Sequence, residues 1–398
     1  MDRMDDLEGW RDEFPILART VYMISNSLGA MPRRTWQNLA EYAETWATRG
    51  VRGWEDRWWD MPIEVGNKIG RIIGAPAGSV SMHENVTTAH MVALSCLPPT
   101  SSRRRLVCSE MDFPSMIYLY RAQQAAGFEL HLVPAEDDLT IHTDRMIEAI
   151  DDRTAFVAFS HVLFRTSYIM DAAAIVARAH EVGAAVILDT YQSVGIVPFD
   201  VTTLEVDFAV GGCLKWLCGG PGNAFLYTRP DRLNSLRPSF TGWLSQQDPF
   251  AFDTGEVEPR ADAMRMMNGT PAIPAYYAAL AGLDIVNEVG VARIREQSKR
   301  LTGRLLALVD QYGFTSAASR DPERLAGTVA VNAPDALQVS RVLKARQFMV
   351  DYRPMVGIRI SPHFYNTMDE VERIMAEIAG IVAKRDYETG GPRSSLVT

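Results

Sequence analysis

Basic charge is in short supply in this sequence: 40 lysines and arginines face 49 aspartates and glutamates, a formal net charge of −9. That balance offers nucleic acid no electrostatic footprint, and the one basic run, "SSRRRL" at 101–106, reads as a solvated loop. Cysteine is scarce too. Cys96, Cys108, Cys213 and Cys218 have no zinc-ribbon spacing and are too few for a disulfide framework, so no metal is expected. No apolar run approaches a membrane span. The opening "MDRMDDLEGWRDEF" is acidic, unlike a signal or transit peptide. Low-complexity tracts, heptads and solenoid repeats are missing. These absences lead to the expectation of a soluble, cytoplasmic protein with neither nucleic acid nor membrane as a partner.

What remains is ordinary globular material: 398 residues, 47% of them hydrophobic, enough for two domains. Between about 65 and 230, short apolar runs alternate with helical patterns. "RRLVCSEM", "ELHLVPAE", "TAFVAFSHV", "AAVILDT", "VDFAVGG" and "NAFLYTR" read as strands. Continuous Val/Ile/Phe runs interleaved with helices predict an α/β fold, a mostly parallel sheet covered on both faces, whose chemistry lies beyond the carboxyl ends of the strands. From about 280 the texture changes. A long helical pattern at 285–313 precedes two short strands, in "GTVAVNAP" and "GIRISPH", and a last helix at 368–385. The expected organisation is an N-terminal segment, 1–45, packing on the small domain, a large domain at 46–280, a small α+β domain at 281–388 and a flexible tail at 389–398.

Two residues at predicted strand ends carry chemistry. In "GGCLKWLCGGPG" Lys215 lies among apolar neighbours, where desolvation lowers an amine's pKa and frees it for Schiff-base formation. Gly219, Gly220 and Gly222 behind it permit close backbone approach to a ligand. In "VILDTYQSVG" Asp189 follows four apolar residues and needs a cationic or hydrogen-bonding partner, although an aspartate there also suits a helix N-cap. A protonated pyridine nitrogen is such a partner, so the pair fits pyridoxal 5'-phosphate (PLP).

The run from Val186 to Asp231 resembles the cofactor core of the PLP-dependent class V aminotransferase superfamily, fold type I, and within it kynureninase. The likeness continues in "SNSLGAMPRRT", "WWDMPIEVGNKIGRIIGA", "DFPS", "FTGWLSQQDPFAFD", "NGTPAI" and "GIRISPHFYNT", over most of the chain. It implies a large domain with a mixed, mostly parallel sheet and a small α+β domain. It also implies that Lys215 forms the Schiff base and Asp189 binds the pyridine nitrogen. Val86 and Thr87 would bind phosphate at a helix N-terminus, Phe113 would stack on the ring, and Trp243 and Thr270 would reach the phosphate across a homodimer interface. Arg359 would grip the substrate α-carboxylate, with Ser27 and Trp54 on the substrate side; Trp58 and Trp59 beside it hint at a bulky side chain.

Three positions depart from the kynureninase pattern. Gln192 replaces a histidine and resembles the "D-x-x-Q" of cysteine desulfurases, which implies a hydrogen bond to the cofactor's phenolic oxygen. Leu214 replaces the tyrosine that in kynureninase is a phosphate ligand and proton donor. Ser245 and Gln246 lie where a histidine is usual. Cysteine-desulfurase chemistry lacks its nucleophile, since no cysteine follows Cys218. The expectation is a PLP enzyme that deprotonates Cα of an amino acid with a free α-carboxylate and then cleaves at Cβ, as a hydrolase or lyase. The alternatives are an aminotransferase, an epimerase- or oxidase-like enzyme, and a non-catalytic protein of the same fold.

Overall fold

The structure is a computed structural model that describes residues 5–98, 101–135 and 139–387; the expected tail at 389–398 lies outside the described residues. Its centre is a seven-stranded sheet in the order Val80–His83, Ala224–Thr228, Phe208–Gly212, Ala185–Asp189, Thr154–Ser160, Arg105–Ser109, Glu129–Val133. Ala224–Thr228 runs antiparallel to both neighbours; the other pairings are parallel. All seven residues of Thr154–Ser160 are buried, as expected of a strand covered on both faces. The run at 101–106 is not simply a solvated loop. Arg105 opens a strand and is buried, because Glu129 at 2.7 Å and Asp151 at 2.5 Å neutralise it.

The helical pattern at 285–313 is two helices, Ile273–Val289 and Val291–Gln311, broken at Gly290, whose φ of 84° no helix accommodates. Apolar periodicity carries on across the break, which is why the sequence reads as one helix. The break sends the two halves to different cores. Ile273–Val289 packs on Arg34–Arg49 and Met61–Ile73, whereas Val291–Gln311 packs on Met368–Lys384. That second core also covers an antiparallel sheet of Asp351–Arg353, Gly357–Ile360 and Val329–Val331. The N-terminal residues touch both cores. Val21–Tyr22 pairs in parallel with Phe348–Met349, and Arg11 pairs with Glu370 at 2.9 Å, before Arg34–Arg49 crosses to the larger core.

Candidate functional site

Lys215 lies three residues past the strand Phe208–Gly212, in a turn held from both sides by glycine. A Cβ on Gly29 would collide with the Lys215 carbonyl, and one on Gly282 with the Leu217 carbonyl. The N-terminal "SLGA" and the helix Ile273–Val289 therefore clamp the turn, and Gly29 N–H donates to the Leu214 carbonyl at 2.9 Å. Gly219 serves this packing and not a ligand: its Cβ would stand 2.6 Å from that of Cys213. Burial pushes the Cys213 and Cys218 thiols up to about 12, so neither is a nucleophile at neutral pH.

The clamped turn points the Lys215 amine at aromatic rings, 4.5 Å from the Tyr191 centroid and 5.7 Å from that of Phe113. Among the described residues no carboxylate pairs with it. Burial and Arg359 pull the amine down to about 7, against Asp189 and Asp351, which favour its charged form.

Asp189 ends the strand Ala185–Asp189 and is 5% exposed. Its Oδ1 accepts from Tyr191 N–H at 2.8 Å, and its Oδ2 lies 3.7 Å from Nε2 of buried His90, whose Nδ1 meets the Tyr120 hydroxyl at 2.9 Å. Gln192 spans two elements: its Nε2 donates to the Asn26 carbonyl at 3.0 Å and its Oε1 accepts from Trp216 Nε1 at 3.2 Å. One amide hydrogen of Gln192 remains for another acceptor.

Val86 and Thr87 open the helix Val86–Leu94, which Asn85 caps by accepting Thr88 N–H at 3.0 Å, a contribution of about 1 kcal/mol. The N–H groups of Val86 and Thr87 are left without an intrahelical partner and half-exposed, an arrangement suited to an anion. Phe113 is 42% exposed and meets Phe164 edge-on at 5.2 Å. Its loop is anchored by Asp112, which accepts Ser109 N–H at 2.8 Å and Ser160 N–H at 2.7 Å from two strand ends.

Arg359 reaches the site but is already engaged. Its Nε donates to Asp351 Oδ1 at 2.8 Å, its Nη2 to Asp351 Oδ2 and its Nη1 to the Phe164 carbonyl, with the guanidinium 2% exposed. Half-buried Arg353 approaches the same Asp351 at 3.3 Å. Two cations thus share one carboxylate, leaving one positive charge near Lys215. Sequence reasoning missed Asp351, Arg353, Tyr191, Phe164 and His90. The visible signal for the first two was "VDYR", a charged pair inside a strand-like run.

Other expected residues are not gathered here within one chain. Trp54 stacks on Trp59 at 4.3 Å, and Trp59 meets Trp243 at 5.7 Å in a cluster with Phe250 and Phe252. Thr270 is exposed and Ser27 half-buried, its N–H bonded to the Ile24 carbonyl.

The groups that do converge are an unpaired amine, a carboxylate at a strand end, open N–H groups at a helix start and an uncovered aromatic ring. They match what PLP presents: an aldehyde, a basic ring nitrogen, a phosphate and a flat ring. The comparisons agree. A model of the family Aminotransferase class-V matches residues 21–374. Kynureninase of Bacillus thuringiensis subsp. konkukian is 30% identical, over 97% of this chain and 94% of the relative. That of Bacillus anthracis is 29% identical over the same shares. Among solved structures, an apo cysteine desulfurase from Thermococcus onnurineus NA1 superposes with TM-score 0.83 at 20% identity, covering 95% of this chain and 98% of that one. A lysine-to-alanine variant of C-DES with glycine covalently linked to its PLP cofactor gives 0.82 at 21% identity, covering 93% and 98%.

Proposed function

The chain belongs to the aminotransferase class-V family, with PLP fold type I, and is a PLP-dependent enzyme of kynureninase-like sequence; on that premise we propose that it removes the Cα proton of an amino acid with a free α-carboxylate and then breaks a bond at Cβ. One observation carries this reading: the Lys215 amine, pulled down to about 7 and without an ion-pair partner, stands close to Asp189 and a surplus arginine.

Bound PLP supplies an aldehyde that captures amines and a ring that takes up electrons released at Cα. The chain's own groups do the rest. Lys215 would hold the aldehyde carbon, and its neutral amine would take the Cα proton. Asp189 holds the pyridine nitrogen and keeps it protonated, with its orientation set by Tyr191 N–H. Val86 and Thr87 N–H groups bind the phosphate, Phe113 covers the ring, and the free amide hydrogen of Gln192 meets the phenolic oxygen. Arg359 and Arg353 receive the α-carboxylate, which replaces part of the hold of Asp351. The resemblance would also put Ser27 and Trp54 on the substrate side, although within one chain neither lies among these groups.

A second reading ends in transamination, epimerisation or oxidation at Cα. Leu214 favours it, because a leucine beside the lysine donates no proton. The two readings differ in their products. With L-kynurenine, Cβ cleavage yields anthranilate and alanine; a keto acid with the cofactor left as its amine form would replace the first reading by the second. Borohydride should bleach the yellow colour and leave the cofactor covalently attached to Lys215 in either case, and a colourless Lys215→Ala protein with full activity would sink both.

We also propose a homodimer. Phe250 is 54% and Phe252 73% exposed beside Trp243, an aromatic surface suited to a second copy, through which Trp243 and Thr270 would reach the partner's phosphate. A fully active monomer in sedimentation would refute it. Four unpaired, buried cysteines suit the reducing cytoplasm, where we place the protein.

A further inference from the structure

Tyr191 contributes its backbone to Asp189, but its side chain has no part in the roles above. The ring lies against the Lys215 amine, 4.5 Å from centroid to Nζ. Gly212 explains how it gets there. A Cβ at 212 would stand 2.7 Å from the ring carbons and hydroxyl of Tyr191, so only the terminal glycine of the strand Phe208–Gly212 leaves the ring its place. The ring is thereby fixed between the Gly212 backbone and the reactive amine, with the backbone N–H of Tyr191 tied to Asp189 at 2.8 Å. The residue is half-buried, and the contact of its side chain with the site is the one to the Lys215 amine. Leu214, on the chain beside the lysine, has no proton to offer. Burial, with Cys213 and Asp189, raises the phenol well above its ordinary range, so Tyr191 keeps its proton throughout neutral pH and acts as a donor.

We propose that Tyr191 is a catalytic acid, which delivers its hydroxyl proton to Cβ of the substrate when the Cβ bond breaks. This rests on the Cβ-cleavage reading above. When the bond breaks, its electron pair stays on Cβ and takes the Tyr191 proton, leaving a phenolate. The Lys215 ammonium returns the proton taken from Cα to that carbon, which gives alanine. Water supplies its hydroxyl group to the departing acyl carbon and its remaining proton to the phenolate. No oxidant or reductant enters.

L-Alanine in D₂O, followed by NMR with the cofactor-loaded enzyme, separates the two proton steps. Exchange at Cα reports Lys215; exchange at the methyl group additionally requires the Cβ acid, working in reverse. Tyr191→Phe should keep Cα exchange within about threefold of the native protein, while methyl exchange falls about 10²-fold or more. Methyl exchange at the native rate in Tyr191→Phe would overturn the role of Tyr191 and leave Cβ cleavage standing. A native enzyme that exchanges Cα but never the methyl group would remove the Cβ-cleavage reading, and the role of Tyr191 with it. Should Tyr191→Phe bind no cofactor, difluorotyrosine at 191 keeps the shape with a more acidic phenol. Its alkaline limb for methyl exchange should then move to lower pH with the Cα limb unmoved, and an unmoved methyl limb would count against the proposal.

Discussion

The two walls of the cleft satisfy their charges in opposite ways. On the large-sheet wall Lys215 has no carboxylate partner among the described residues, Asp189 spends one oxygen on Tyr191 N–H, and the N–H groups of Val86 and Thr87 have no intrahelical partner. On the small-sheet wall Arg359 spends three of its five N–H donors, on both oxygens of Asp351 and on the Phe164 carbonyl, and Arg353 leans on the same aspartate. One wall is built with vacancies in its hydrogen bonding, which a bound group would fill. The other already pairs its two arginines with one carboxylate, and a substrate carboxylate would come to share them. The first arrangement costs stability in the free chain, and the second becomes costly when one partner is removed.

The largest expected effect comes from the open wall's amine. Lys215→Ala should lower Cα exchange of L-alanine by roughly 10⁴-fold, while the protein stays folded. A loss under tenfold would move the base elsewhere in the cleft.

Stability should show the reverse order. Asp351→Ala leaves two arginines, one of them 2% exposed, without their shared anion, and should cost about 3–5 kcal/mol in urea unfolding. Asp189→Ala loses one bond to Tyr191 N–H and also removes a buried carboxylate, so it should cost no more than about 1.5 kcal/mol in the free chain. Its damage should instead appear as weaker cofactor binding, read by absorbance titration. Equal losses for the two aspartates would erase the distinction between the walls.

The open wall was the more legible in sequence, for a physical reason. Asp189 and Lys215 each sit at or just past the end of a buried strand, and a strand end is written in local pattern, a run of apolar residues that stops at a polar one. Val86 and Thr87 follow a capping asparagine, again a local signal. The closed wall depends on pairings between elements. Arg359 stands out in "GIRISP", but that Asp351 would occupy its fork follows only from the antiparallel register that sets Asp351 opposite Arg359. His90 and Asp189 are 99 residues apart in sequence, and nothing near either one announces the other. Tyr191 was hidden differently. Its number lies beside Asp189, but its use depends on the gap at Gly212, a feature of the neighbouring strand. The single helix expected at 285–313 failed at Gly290 because apolar spacing persists across a break that only the backbone reveals.

The smallest effect follows from the cost of the open wall. A lysine normally titrates near 10.5, and here burial and Arg359 pull the folded amine down to about 7. Below pH 7 the amine is charged in both folded and unfolded chains, so the folded state bears the whole penalty. Between 7 and 10.5 the unfolded chain binds a proton that the folded one does not, and stability rises with pH. Above 10.5 the difference is gone. Lys215→Met, which removes the charge and keeps the bulk, should therefore raise the melting temperature of the cofactor-free protein most below pH 7, by roughly 2–4 °C, since the residue as a whole is only half-buried. The advantage should shrink steadily as the pH approaches 10. A gap that stays constant with pH would mean that Lys215 is charged at no cost, and that the open wall carries a structural cation in place of a poised amine.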